Sequence, residues 1–165
     1  MEIKREHLKE IELFRAFKDP EIDELIKKGV IHEFDSYANI IIEGELSWGL
    51  YIILAGTVGV QKLNKMSGNY YDVCTLQDGT FFGEMSLIDE NPRTATVRAL
   101  TPTRVFYLSK SDFQSFVSGN TDRTLRFFEK CIRTLVNRLR DLDDKFVVAQ
   151  NQLWKSVVRG KKGAA

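Results

Sequence analysis

Seven short runs rich in β-branched and aromatic residues lie between Val30 and Leu108, and they limit the possible folds more than any other feature. They read VIHEF, NIIIE, GLYIILAG, VGVQKL, YYDVCTL, TATVRAL and TRVFYL. Turn residues separate them, among them SGN at 67–69 and DG at 78–79. Strands spaced in this way are typical of an antiparallel sandwich or barrel. Because no helix-length periodic segment interrupts them, a parallel sheet with crossover helices is not expected.

The residues before Val30 predict helices. A short amphipathic segment comes first, and the run Asp19-Pro20-Glu21 then has the pattern of an N-cap, a proline at the first helical position and an acidic first turn. This pattern predicts a helix over 20–28. Gly29 stands where a left-handed C-terminal glycine is expected.

The residues after Ser109 predict helices again. Ser111 is the expected N-cap of a short helix, and a long helix is expected to start at Asn120 or Thr121. Apolar residues spaced alternately by three and four form a heptad seam along the long helix; they are Leu125, Phe128, Ile132, Leu135, Leu139, Leu142, Phe146, Ala149 and Leu153. This seam either rests on the helix's own domain or pairs with a second copy. We favour a coiled-coil homodimer, because charged residues flank the last three heptads.

Four segments follow from these patterns: helices over 1–29, a β domain over 30–120, a dimerisation helix over 121–156 and a disordered tail over 157–165. The chain has 165 residues and a formal net charge of +1, so no strong field attracts it to DNA or to an anionic membrane. It shows no secretory signal and no span long enough for a bilayer. Two cysteines without CxxC spacing predict a reducing, cytoplasmic location and no structural metal.

The stretch FFGEMSLIDENPRTATVRAL, at 81–100, carries the chemistry. A glycine allows a ligand to approach the backbone, and the helix-forming residues after it offer free N–H groups to an anion. Arg93 adds a planar bidentate donor that suits phosphate. Glu84 cannot bind phosphate, but it can accept hydrogen bonds from a sugar. The alternative is a hairpin with a surface Glu–Arg pair, which contributes about 0–1 kcal/mol.

The segment FGEMSLIDENPRTATV resembles the phosphate-binding cassette of the cyclic-nucleotide-binding domain family. GELSWGLYIILAGTVGV resembles the family's glycine turn, aromatic–aliphatic strand and second glycine turn. The resemblance covers most of the chain. It implies an α+β fold, in which a β-roll (a jelly-roll-like antiparallel barrel of about eight strands) lies between N-terminal helices and a long C-terminal helix.

The resemblance also implies roles for individual residues. Glu84 would accept the ribose 2′-hydroxyl, and Arg93 would pair with the cyclic phosphate. Gly83 and Ser86 would offer backbone proximity or N–H groups, and Thr94 and the Ala95 amide would assist Arg93 at the phosphate. Phe82 and Met85 of the same segment are also expected among the ligand-binding residues. Val73 and Leu76 would form part of an apolar wall around the base. Leu142 and Asp143 of the long helix would cover the base.

The function implied is a regulatory module that senses cAMP, or alternatively cGMP, and passes a conformational change to its long helix. The threonine after Arg93 also fits a cGMP-responsive member. No catalytic set of residues is present, so no enzyme activity and no cofactor are expected. Two alternatives are a ligand-free dimeric scaffold and the sensor part of a transcription regulator. Since only nine residues follow Ser156, a DNA-binding module is not expected there, nor is direct nucleic-acid binding.

Overall fold

Two four-stranded antiparallel sheets form the centre of the protein in a computed structural model, which describes residues 3–89 and 91–162, with side chains up to 155. The strands are β1 (Val30–Phe34), β2 (Asn39–Ile41), β3 (Gly49–Ala55), β4 (Thr57–Leu63), β5 (Tyr70–Gln77), β6 (Phe81–Phe82), β7 (Thr96–Ala99) and β8 (Thr103–Ser109). Their orders are β1-β8-β3-β6 and β2-β7-β4-β5. This is the expected α+β fold with an antiparallel β-roll.

Five helices complete the described chain. They are α1 (Arg5–Glu10), α2 (Asp19–Lys28), α3 (Met85–Ile88), α4 (Lys110–Val117) and α5 (Thr121–Lys162). The chain divides into two compact units, Met1–Phe127 and Phe128–Ala165. No helix in the described ranges is both long and apolar enough to cross a membrane.

The core of the β-roll is shared equally between the two sheets. Ile53, Phe82 and Val105 come from one sheet, while three residues of the other sheet face them: Ile41, Val58 and Val97. All six are at most 4% exposed. The inward-facing side chains of these short strands form this layer between the two sheets.

A buried ion-pair cluster joins α2 to the first turns of α5 within the first unit. The Glu21 carboxylate lies 2.8 Å from Arg126 and 3.3 Å from Arg123. Burial acts to raise the pKa of Glu21, but hydrogen bonds from the Lys18 N–H and from the arginines outweigh it and the pKa is lowered. The guanidinium of Arg123 also stacks over Phe116. These contacts hold the start of the long helix against α2 and α4.

The N-terminal caps of two helices differ from the sequence predictions. Lys18, and not Asp19, is the N-cap of α2, and Asp19 pairs with Arg5 and Lys9. Ser109, and not Ser111, caps α4 by accepting the Asp112 N–H. In each case the helix begins one or two positions earlier than predicted. At α2 the side chain of Lys18 does not cap the helix, but the Glu21 carboxylate accepts the Lys18 N–H at 2.7 Å.

Gly29 is needed for packing and not for a left-handed turn. Its φ is −93°, an ordinary extended value. A methyl group built there would lie 2.0 Å from the ring of Phe106, which is fully buried. The sequence pattern identified the position correctly, but tertiary contact supplies the reason. By contrast, Gly44 and Gly56 have φ values of +88° and +104°, in agreement with the predicted turn roles.

The long helix starts at Thr121, as predicted, and the side chain of Asn120 accepts the Arg123 N–H at its start. It continues to Lys162, so the backbone of 157–162 is helical where a disordered tail was predicted. Gly160 does not end it, because one glycine costs a helix only about 1 kcal/mol. The rest of the predicted tail, 163–165, lies outside the described residues.

Candidate functional site

The site is built around Arg93, whose side chain is only 6% exposed. The loop after β2 holds its backbone on both sides. The Arg93 N–H donates to the Glu45 carbonyl at 2.9 Å, and the Gly44 N–H donates to the Arg93 carbonyl at 2.8 Å. Arg93 therefore has a fixed position before its side chain makes any contact.

The guanidinium of Arg93 donates to uncharged acceptors in the described part of the chain. Its Nε–H donates to the Ser47 hydroxyl at 3.0 Å, and Nη2 donates to the Gly49 carbonyl at 3.2 Å. Nη1 is shared between the Ser86 hydroxyl at 2.9 Å and the Gly83 carbonyl at 3.3 Å. The positive charge is thus hydrogen-bonded but is not neutralised by these partners. A buried charge in this state favours an incoming anion.

Aromatic rings form one wall beside this charge. The guanidinium carbon of Arg93 lies 5.7 Å from the centre of the Tyr51 ring, which stacks on Phe82 at 5.0 Å. Burial lowers the pKa of Arg93, while Tyr51, Tyr107 and Glu84 act in the opposite direction. Burial also raises the pKa values of Tyr51 and Tyr107. Arginine stays protonated in proteins, so the site keeps its charge at neutral pH.

Ser86 connects the cassette to the start of β3. Its hydroxyl accepts the Gly49 N–H at 3.2 Å and the Arg93 Nη1 at 2.9 Å, and it donates to the Gly83 carbonyl at 2.8 Å. The residue is 4% exposed. The sequence suggested a role for its backbone or small size, whereas the structure shows that its side chain organises the site.

Gly83 occupies a position that no other residue fits. Its φ is +82°, and a methyl group built there would lie 2.6 Å from the Gly49 carbonyl oxygen and 3.0 Å from Arg93 Nη1. The next residue, Glu84, is 4% exposed and precedes the single turn of α3. Glu84 and Arg93 are therefore both buried, and the charge of Glu84 acts to raise the pKa of Arg93.

A family model covers the residues that form this site. The model of the cyclic nucleotide-binding domain matches residues 31–120, more than half of the chain and the whole β-roll with its cassette. The chain belongs to the cyclic nucleotide-binding domain family.

This cyclic nucleotide-binding domain is similar to parts of a transcriptional regulator and of a protein kinase, and to a solved domain of the same family. The chain is 30% identical over 142 residues to the cAMP-activated global transcriptional regulator CRP of Salmonella typhimurium, covering 82% of this chain and 67% of that protein. It is 32% identical over 117 residues to a cGMP-dependent protein kinase of Plasmodium berghei, covering 70% of this chain and 13% of the kinase. The crystal structure of a cyclic nucleotide-binding domain from Methylobacillus flagellatus superimposes with a TM-score of 0.75 at 25% identity, covering 86% of this chain and 79% of that one.

The exposed side of the domain's cassette carries Thr94 and Met85. The Thr94 hydroxyl lies 3.9 Å from the Met85 sulfur, and Met85 is 45% exposed. Lys62 of β4 donates to the Thr94 carbonyl and pairs with Glu43 at 2.8 Å. The backbone of Thr94 is therefore held, and its hydroxyl stays at the surface. Ala95, which follows it, is half-buried.

Phe82 and Leu76 lie away from this surface. The Phe82 ring is 3% exposed and belongs to the core cluster, so its contact with Tyr51 supports the aromatic wall from behind. Leu76 packs against the same core, and Val73 of β5 is 37% exposed. Leu142 and Asp143 belong to the second unit and are exposed. The ligand contacts of these residues stay predictions.

Sequence reasoning missed three contributors to the site: Ser47, Gly49 and Tyr51. They lie in the segment that resembles the family's glycine turn, which suggested a structural role alone. The only signal in the sequence was a serine and a glycine at the start of a buried strand. Ser47 and Gly49 contact Arg93, but they precede it by 46 and 44 positions along the chain. Among the described residues, no group of three or more His, Cys, Asp or Glu could hold a metal ion.

Proposed function

We propose that this chain is a regulatory module that binds a cyclic nucleotide at Arg93. The observation that supports it is the buried guanidinium, which donates to uncharged hydroxyl and carbonyl groups of the described residues. A phosphate would supply the missing negative charge in bidentate geometry, and charge-assisted hydrogen bonds are about twice as strong as neutral ones. Glu84 would accept from the ribose 2′-hydroxyl, and Thr94 with the Ala95 N–H would complete the contacts to the phosphate.

We propose cAMP as the preferred ligand, with cGMP as the second candidate. The relative named above as cAMP-activated covers most of this chain. The exposed hydroxyl of Thr94 supports cGMP as the second candidate, since it could accept a hydrogen bond from the exocyclic amine of guanine. The similarity of this chain to part of a cGMP-dependent protein kinase also supports cGMP as a candidate. We expect no catalytic step at the site.

Binding is tested by thermal unfolding with a panel of cAMP, cGMP and cyclic dinucleotides. A ligand at one hundred times its Kd should stabilise the native state by about 2.7 kcal/mol. The preferred nucleotide should give the largest shift at equal concentration. If no member of the panel shifts the unfolding temperature, the ligand-free scaffold is the better description of this protein.

We propose further that the second unit pairs with its copy. Several members of the heptad seam are exposed in the single chain by 51–62%, namely Ile132, Leu139, Leu142, Phe146 and Leu153. In a parallel pair with this heptad assignment, Arg138 would lie beside the partner's Asp143. An antiparallel pair would bring like charges together. This charge pattern supports a parallel coiled coil.

A single charge in the seam tests the dimer. Leu139→Lys should convert a dimer into a monomer of 19.0 kDa, because a lysine in the seam has no partner. Asn137→Lys is the matched control, since it adds the same charge outside the seam. Sedimentation equilibrium of both variants measures the mass. A wild-type chain that already sediments as a monomer would refute the pairing.

The long helix is the proposed output element. A ligand can shift its position only by the difference in affinity for two states of the protein. The chain spans about two thirds of the length of the CRP relative, so it also fits the sensor part of a transcription regulator. Under that alternative the same ligand site is expected, and the effector differs.

A further inference from the structure

A second cavity, of about 490 Å³, lies at the end of β3 that is remote from the cassette. Its walls come from α1, the end of β3, the turn between β5 and β6, and β8. Apolar residues line part of it, among them Ile11, Ile53 and Leu54, and charged residues line the rest. The volume falls in the range of small-molecule sites.

Arg104 is the unusual member of this lining. Its Nε atom is buried and has no hydrogen-bond partner among the described residues. Its backbone is fixed between two neighbouring strands, opposite Glu33 of β1 and Ala55 of β3. A buried donor without an acceptor is costly, and it is rare in native proteins. Arg104 as a whole is half-buried, so an acceptor that enters the cavity would meet the accessible part of its side chain.

The other polar groups of the cavity indicate which charged groups a ligand would need. Glu10 and Asp78 also line the cavity, yet no ion pair joins either of them to Arg104 in the described part of the protein. His7 lines the same wall, and its Nδ1 accepts the Lys4 N–H at 3.4 Å. In the neutral ring Nε2 then carries the proton. The cavity thus offers donors from Arg104 and His7 and acceptors from two carboxylates.

The cassette and this cavity are independent places on the β-roll. Gly49, which contacts Arg93, begins β3, while Ala55, which lines the cavity, ends it. The two residues are six positions apart along the strand, about 20 Å. A ligand in one place does not occupy the other, and the rigid strand between them connects the two.

We propose that this cavity is a second binding site for a small zwitterion of the amino-acid class. The ligand's carboxylate would accept from Arg104, and its ammonium group would lie near Glu10 and Asp78. A short aliphatic chain between the two groups would lie against Leu54, which is half-buried. The site is distinct from the nucleotide site and does not depend on it.

The probe for this site is δ-aminovalerate, added to the whole chain and followed by nitrogen-edited NMR. We expect saturable shifts of the Leu54 and Gly79 amides and of the Arg104 Nε–H signal. Pentanoate and pentylamine each lack one charged end, so each should bind at least about tenfold more weakly, because a charged hydrogen bond is lost.

Variants separate binding from folding. Arg104→Gln should abolish the saturable shifts while the remaining amide spectrum is unchanged. Arg98→Gln is the matched control, because Arg98 is exposed on β7 in the other sheet and donates to the Tyr37 carbonyl. The proposal is overturned if no probe gives saturable shifts at millimolar concentration. It is also overturned if the ligand-free Arg104 Nε–H signal is protected and Asp78→Asn removes the protection, since an internal ion pair would then close the cavity.

Discussion

Replacing Arg93 by alanine should lower the affinity for cAMP by more than a hundredfold. The change leaves the phosphate buried without its guanidinium partner, and breaking a buried ion pair from one side costs about 3–5 kcal/mol. Four uncharged acceptors would also lose their donor, namely the hydroxyls of Ser47 and Ser86 and the carbonyls of Gly49 and Gly83. Isothermal titration calorimetry measures the loss directly.

Two further variants make the Arg93 result specific. Arg93→Lys keeps the charge but loses the bidentate geometry, so its affinity should lie between those of alanine and wild type. Arg98→Ala removes an exposed arginine five positions away and should leave the affinity unchanged. Thermal unfolding without ligand shows whether each variant is folded. Full affinity in a folded Arg93→Ala protein would disprove the role assigned to Arg93.

Replacing Gly83 by alanine should destabilise the protein and impair nucleotide binding together. A left-handed φ costs an alanine about 1–2 kcal/mol. The new methyl group would also lie 2.6 Å from the Gly49 carbonyl oxygen, which belongs to the backbone of β3 and cannot turn away. Overpacking of this kind adds about 1–3 kcal/mol. We therefore expect a loss of about 2–5 kcal/mol in the free energy of unfolding, measured by urea denaturation.

Gly68→Ala separates the two parts of this cost. Gly68 has a φ of +71°, but a methyl group there would meet nothing within 4 Å. It lies in the turn between β4 and β5, so only the backbone strain applies. The Gly83 variant should lose more stability than the Gly68 variant, and only the Gly83 variant should lose affinity. Equal losses in the two variants would mean that the contact with Gly49 is not restrictive.

The two charged residues of the site were recognisable because they lie in one contiguous motif. Glu84 and Arg93 are nine positions apart and share a loop whose residue types have a chemical meaning on their own. The acceptors of Arg93 were not recognisable in the same way. Ser47 and Gly49 reach it only because β3 and the cassette are folded against each other. A serine before a strand has no distinctive pattern until its partner is known.

Local sequence also left the role of single residues open. Gly29 was correctly marked as special, yet the reason is the Phe106 ring from a strand far along the chain. Ser86 was identified as a cassette residue, but its hydroxyl, and not its size, connects three parts of the site. An apolar residue such as Phe82 is equally suitable for contact with a ligand and for the core, so its residue type does not distinguish the two roles. Only its burial and its stacking on Tyr51 show its place in the core.

By itself the sequence determined the class of fold, the order of its strands and helices, the seam of the long helix and the charged pair of the cassette. These depend on periodicity and on neighbouring residues, which are local properties of a chain. The tertiary structure alone decided that Arg93 is buried among neutral acceptors, that Gly83 has no space for a side chain and that Arg104 borders a cavity. Those properties arise where distant segments meet, and the free energy of such contacts depends on distance and burial, which no local pattern records.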